Sequence, residues 1–178
     1  MEVAFPSVPA AERYSTLNAA LAIAAYERIV LANEAPFQRW LRGDRTALNS
    51  FEKQGAILFF GKANCVDCHS SPALSSMEFH ALGMADLIDC PEETFKTTID
   101  NAQNRGRGGF TNRVEDNYKF KVPQLYNLRD SPFYGHGASL RSVREVVVYK
   151  DAGVAENLRV STAQLASQFR PLQLTPTE

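Results

Sequence analysis

The chain has 178 residues, 44% hydrophobic and 22% charged, with 10 Gly and 9 Pro, which is a globular composition and excludes a disordered or collagen-like chain. Nineteen basic residues against twenty acidic ones leave a formal charge of -1, so nothing suggests a basic face for nucleic acid. The longest apolar run, Ala19 to Tyr26, is about half the ~18 residues a bilayer span needs, and no membrane span is expected.

Thr16 to Ala32 reads as a helix capped by Ser15 or Thr16; its middle is apolar on every side, which predicts deep burial. Pro36 suits the first turn of a short second helix, with Phe37, Trp40 and Leu41 on one face and Gly43 as its stop. A third helix is expected from Ser50 to Gly61, offering Phe51, Ile57, Leu58 and Phe60 to a core. From Asn64 to Asn117 the chain is loop-rich, with only Glu92 to Ile99 reading as helix. Phe120 to Leu125 is expected to be extended, because Pro123 forbids helix around it. Ser142-Val-Arg-Glu145 is a capping box that opens a helix carrying Val143, Val146 and Val147 and ending by Gly153. Thr175-Pro176 would normally open another helix, so the chain reads as cut at its end. The fold class is therefore all-α with long ordered loops, and something other than regular structure must organise them. At the start, Glu2 and a Pro-containing stretch follow Met1 with no cationic segment leading into an apolar one; no signal peptide is read, which alone would mean cytoplasm.

The chemistry lies in Cys65-Val-Asp-Cys68-His69. C-x-x-C-H is the attachment pattern of c-type haem: two cysteines three apart in a helical turn share a face and can form thioethers, and the following imidazole can reach the iron. Cys and His each occur 3 times in 178 residues, so chance predicts on the order of 0.001 such matches. Two rival readings use the same thiols. One is a zinc site of Cys65, Cys68, His80 and Cys90. The other is a dithiol redox pair, although the βαβ context of such pairs is missing. For the sixth position of a haem iron, Met77, Met84, His80, His136, Tyr149 and Lys150 are all candidates.

Gly55 to Ser70 resembles the opening of the C-terminal haem domain of bacterial di-haem cytochrome c peroxidases and MauG-type proteins. Four further blocks agree in order: Phe79 to Gly83, Phe120 to Leu125, Tyr134 to Gly137, and Ser142 to Tyr149. Ala22 to Arg28 and Pro36 to Asp44 are similar to the segment that family places between its haem domains. The resemblance implies an inter-domain helical segment over residues 1–49 and a cytochrome c-like domain over 50–178, built around one covalent haem c. Cys65 and Cys68 would hold that haem and His69 would be its proximal ligand. The family's distal ligand, Met or Tyr, falls about fourteen residues after the histidine matched by His136. That position is Lys150 with Tyr149 beside it, and Tyr149 is the expected ligand because Lys must first lose a proton.

The resemblance also implies a possible calcium ion, a small cytochrome or cupredoxin as electron donor, and a periplasmic location. There are departures. Only one C-x-x-C-H is present, so the peroxide-cleaving haem domain is absent from this chain. Leu125-Tyr126-Asn127 stands where the family has Leu-Arg-Asn, leaving Arg107 or Arg129 to meet haem propionates. Ala63 stands where a radical-transferring tryptophan would be expected. The expected function is electron relay in a peroxidase-family oxidoreductase. The alternatives are a single-haem peroxidase with His136 as acid–base group, and a zinc-bound or apo remnant.

Overall fold

A computed structural model describes residues 4–30, 34–89 and 98–178. The chain divides into two compact units, Met1–Asn49 and Ser50–Glu178.

The first unit holds α1 (Thr16–Ile29) and α2 (Pro36–Leu41). Ser15 caps α1 by accepting from the Asn18 amide at 3.2 Å, the bond that Ser supplies to an otherwise orphaned N–H. Asn18 is itself buried and donates from Nδ2 to the Glu12 carbonyl, fixing the chain's approach to the helix. The deep burial expected of α1 is not found: Leu17, Ile23, Tyr26 and Ile29 are exposed, Ile29 by 80%. Among the described residues of its unit the one other helix is the six-residue α2, too little apolar surface to cover a helix that is apolar all round. In α2, Phe37 and Trp40 do meet, with ring centroids 6.1 Å apart, whereas Leu41 is exposed.

The second unit begins with α3 (Ser50–Phe60), whose inward face differs from the expected one. Phe51, Ile57 and Phe60 are exposed, while Ala56, Leu58 and Phe59 are partly covered. After α3 come a single 3-10 turn at Cys65–Asp67 and the two-residue strand β1 (Phe79–His80). β1 pairs antiparallel with β2 (Phe120–Lys121), so the extended reading of Phe120 is correct over two residues and the unit carries a minimal ladder. The expected helix from Glu92 lies outside the described residues as far as Thr97, and Thr98 and Ile99 are not helical.

Where loop is expected, two short helical turns form, Ala102–Arg105 and α4 (Arg107–Thr111), and they meet at Gly109. A Cβ on Gly109 would lie 1.9 Å from the Ala102 carbonyl oxygen, so only glycine allows that approach. The last helix, α5 (Val143–Ala152), is capped by Ser142, which accepts from the Glu145 amide at 3.1 Å. It ends at Gly153 in the left-handed region, φ 60°.

The core of this unit is small: Leu140, Tyr149 and Phe169 are buried together, with Leu82, Met84, Val146 and Leu165 packed against them. Of the valines on α5 only Val146 joins that cluster; Val143 and Val147 stay exposed. Backbone bonds between distant loops do much of the remaining work. The Gly83 carbonyl accepts from the amides of Glu156 and Asn157, and the Ala81 carbonyl from that of Ala166, each at 2.9 Å. Most of the unit is therefore ordered loop held by specific polar contacts, with helices at its start and near its end.

Candidate functional site

The turn Cys65–Asp67 is entered through Asn64 in the left-handed region, which Asn tolerates better than most residues. Its i to i+3 geometry nearly eclipses the side chains of Cys65 and Cys68, putting both sulfurs on one side of the backbone. Both thiols are free and partly buried. Burial pushes each thiol pKa up, against the opposing charge of Lys150. The amide of His69 closes the turn by donating to the Cys65 carbonyl at 2.9 Å.

His69 is held by its other edge. Its Nδ1 lies 2.8 Å from the Leu74 carbonyl oxygen. A carbonyl only accepts, so Nδ1 carries the proton and Nε2 keeps a free lone pair, the arrangement a metal-ligating histidine requires. The loop presenting that carbonyl is fixed in turn. Leu74 sits at φ 49°, and the hydroxyl of the buried Ser75 donates to the Val122 carbonyl at 2.8 Å and accepts from the Met77 amide at 3.2 Å. Phe59 of α3 lies against the imidazole, ring centroids 6.4 Å apart. Burial, first, and the charge of Lys150 hold the His69 pKa below its ordinary value, while the backbone carbonyls of Leu74 and, less, Pro123 oppose them. The balance favours the neutral ring that can bind a metal.

Tyr149 and Lys150 end up in different surroundings, as the roughly 100° between neighbouring helical residues demands. The Tyr149 hydroxyl donates to the Leu82 carbonyl at 2.7 Å, its ring stacks on Phe169, and burial raises its pKa. The Lys150 ammonium lies 5.0 Å from the centre of the Phe169 ring and close enough to the motif for its charge to act on Cys65, Cys68 and His69. Of the pair, Tyr149 is held in the core and Lys150 lies over the face of Phe169.

The other candidates scatter. His136 is partly buried. Its Nε2 donates to Asp86 at 2.8 Å, and its ring stacks on Phe120 with centroids 3.6 Å apart. Asp86 is 0% exposed and also accepts from Asn157 at 2.8 Å and from Arg159 at 2.5 and 3.2 Å. This buried cluster escaped the sequence reading, although an aspartate inside Leu82-Gly-Met-Ala-Asp-Leu-Ile88 is a visible sign of a paired, buried charge. Arg107 is engaged by Asp116 at 3.3 Å and by the face of Phe79 at 4.7 Å. Arg129 is exposed on the turn Leu128–Asp130. His80 pairs with Glu78 at 3.2 Å, Met77 is exposed, and Met84 packs on the core.

Of the four zinc ligands considered, Cys90 lies outside the described residues. Among the described residues no three His, Cys, Asp or Glu side chains are arranged to hold a metal ion. An open cleft of about 840 Å³ runs along β1, walled in part by Arg107, Lys119 and Gln164; neither cysteine of the motif nor His69 lines it.

The donor set fits a haem c. Two free thiols share one side of a single turn, and a neutral imidazole beside them has one nitrogen tied down and the other available. Covalent tethering at two sulfurs makes a deep enclosed cavity unnecessary. The site and the mainly helical, loop-rich fold together define a candidate c-type cytochrome.

Comparison with known proteins agrees. No protein-family profile matches the chain. It is 31% identical over 193 aligned positions to the cytochrome-c peroxidase IdrP1 of Denitromonas iodatirespirans, covering 98% of this chain and 50% of that protein. It is 29% identical to the methylamine utilization protein MauG of Methylorubrum extorquens, covering 88% and 39%. It is 31% identical to the cytochrome c551 peroxidase of Nitrosomonas europaea, covering 71% and 34%. Among solved structures, a MauG-like protein associated with microbial copper homeostasis has the same fold, with TM-score 0.71 and 24% identity over 99% of this chain and 53% of that one. The chain is thus similar to cytochrome-c peroxidases and MauG proteins and spans between about a third and a half of the length of these curated relatives. Among the described residues no helix is long and apolar enough to cross a membrane.

Proposed function

We propose that this chain is the electron-relay half of a two-haem, cytochrome-c peroxidase-like oxidoreductase, carrying one haem c on Cys65 and Cys68 with His69 as proximal ligand. The observation that carries the reading is the bond from His69 Nδ1 to the Leu74 carbonyl, which leaves the Nε2 lone pair free next to two thiols. When bound, the haem would supply a one-electron ferric–ferrous couple.

The chain's own residues would do the rest. Cys65 and Cys68 would tether the group, and the loop Leu74–Met77 would keep the imidazole from turning. The Leu74 carbonyl, by holding the Nδ1 proton, would raise the basicity of Nε2 and so favour ferric iron. Only one C-x-x-C-H stands in the sequence, so peroxide cleavage would belong to a second haem domain, and electrons would come from a small cytochrome or cupredoxin. Since c-type haem is attached outside the bacterial cytoplasm, the working location would be the periplasm. The rival reading, His136 as acid–base group, gains no support from a ring already engaged by Asp86 and Phe120.

The test is expression of the chain behind an export signal in a host that attaches c-type haem, followed by haem staining of a denaturing gel. The expected result is a stained band that disappears in the double variant Cys65→Ala, Cys68→Ala. A colourless band, or zinc recovered with the purified chain, would overturn the proposal.

A further inference from the structure

The structure assigns Ser75 as the residue that sets the ferric preference of the haem site, acting through the Leu74 carbonyl on the imidazole of His69. Ser75 makes no bond to His69 itself, so it is a positioning residue. The inference rests on the haem reading above and goes beyond it by naming the side chain that fixes the ligand's partner.

Three observations carry it. The first is the conformation of the loop. Ser71, Leu74 and Met77 stand in the left-handed region, at φ 67°, 49° and 62°. None is a glycine, and such a run persists only where the surroundings over-determine it.

The second is that Ser75 supplies that determination. Its amide donates to the Ser70 carbonyl at 2.7 Å, and its own carbonyl accepts from the Ser71 hydroxyl at 3.1 Å. Its hydroxyl donates to the Val122 carbonyl at 2.8 Å and accepts from the Met77 amide at 3.2 Å. The residue is 1% exposed, so water does not replace a partner that is lost.

The third is a shared peptide plane. The Leu74 carbonyl and the Ser75 amide belong to one rigid unit, so the bonds that hold Ser75 also aim the oxygen lying 2.8 Å from His69 Nδ1. Just beyond, the Ser76 amide donates to the Cys68 carbonyl at 2.8 Å and ties the loop back to the motif.

Without the Ser75 hydroxyl, the Val122 carbonyl and the Met77 amide lose their partner, and the strained loop relaxes. The Leu74 oxygen then moves off Nδ1, Nε2 becomes a weaker donor, and ferrous iron gains.

The haem-loaded chain and its variants decide the matter by redox titration followed optically, with thermal melting beside it. Ser75→Ala is expected to keep its covalent haem and to lose on the order of tenfold in ferric-over-ferrous preference, an upward shift of about 59 mV for one electron. Ser75→Thr, which keeps the hydroxyl, is expected to return the parent potential. Ser142→Ala, which loses a serine hydroxyl at the start of α5, is expected to melt lower and leave the potential where it was. Where Ser75→Ala loads no haem, Ser71→Ala decides, since it loosens the same loop through the Ser75 carbonyl and is expected to shift the potential upward by less. An unchanged potential in the deciding variant, an equal shift in Ser142→Ala, or a haem-loaded Ser75→Thr that behaves like Ser75→Ala would each overturn the role of Ser75 while leaving the attached haem in place. An unaltered chain that carries no covalent haem would overturn the proposed function, and this inference with it.

Discussion

Asp86 ties together several loops of the larger unit. Its carboxylate is wholly buried and gathers His136 and the pair Asn157 and Arg159, drawn from two other stretches of chain. Removing one partner of a buried ion pair leaves the others uncompensated, which costs about 3–5 kcal/mol. Asp86→Ala is therefore expected to lower the unfolding free energy of the full chain by about that amount in a guanidinium titration. His136→Phe would keep the stack on Phe120 and lose one charge-assisted bond, with an expected loss of about 1.5–3 kcal/mol. Should the histidine variant cost more than the aspartate one, His136 would have a role that its contacts do not explain. His69 and its carbonyl anchor belong to the same scale. C-x-x-C-H was plain in the text, but the Leu74 carbonyl was not, because any residue supplies that oxygen and only the loop's path brings it to Nδ1.

At the level of elements, α5 presents Tyr149 to the core and Lys150 to the face of Phe169. Its N-terminus was readable, because a Ser cap is a local event; Ser142→Ala should cost about 1 kcal/mol. The Glu145 side chain, however, accepts from the Arg141 amide and not from that of Ser142, so only half of the capping box forms as expected. The other end is packed as tightly as it is capped. Gly153 has φ 60°, and a Cβ there would meet the backbone nitrogen of Pro171 at 2.4 Å. Gly153→Ala should therefore cost more than the roughly 1–2 kcal/mol of left-handed strain alone, as thermal melting of the two variants side by side would show. The helix α3 illustrates a different limit. Its existence followed from its sequence, but the inward face passes through Ala56 and Phe59, and Phe51 stays 80% exposed. Its residues are apolar on several sides, so periodicity alone could not choose between them.

Over the molecule as a whole, the larger unit is held by a small apolar cluster and by polar contacts between loops, so an apolar group stitched at Cys65 and Cys68 would add substantially to the buried surface. The double variant Cys65→Ala, Cys68→Ala, unable to tether haem, is expected to melt at a lower temperature and less cooperatively than the haem-loaded chain. One long-range contact gives a pH signature. Glu178 accepts from Lys62 at 2.6 Å and from the amide and hydroxyl of Thr175, and its pKa falls from an ordinary 4.5 to about 2. A depressed carboxylate stabilises the fold above its unfolded pKa and loses that contribution as the pH drops through its folded one. The contact should therefore persist below pH 4.5 and release toward pH 2, as the Thr175 amide resonance would report; a midpoint near 4.5 would mean that the contact does not form. Because this carboxylate is exposed, added salt should weaken the effect.

Covalent chemistry and local caps could be read directly from residue order: two cysteines and a histidine at fixed spacing, a serine before a helix, a glycine after one. Each involves residues a few positions apart, whose geometry the backbone sets alone. Which of Tyr149 and Lys150 is held in the core, which carbonyl steadies His69, and what partners Asp86 could not be read that way. Each of those depends on residues brought together from far along the chain, as Leu82 is to Tyr149 and Arg159 to Asp86, and only the folded path of the loops sets those distances.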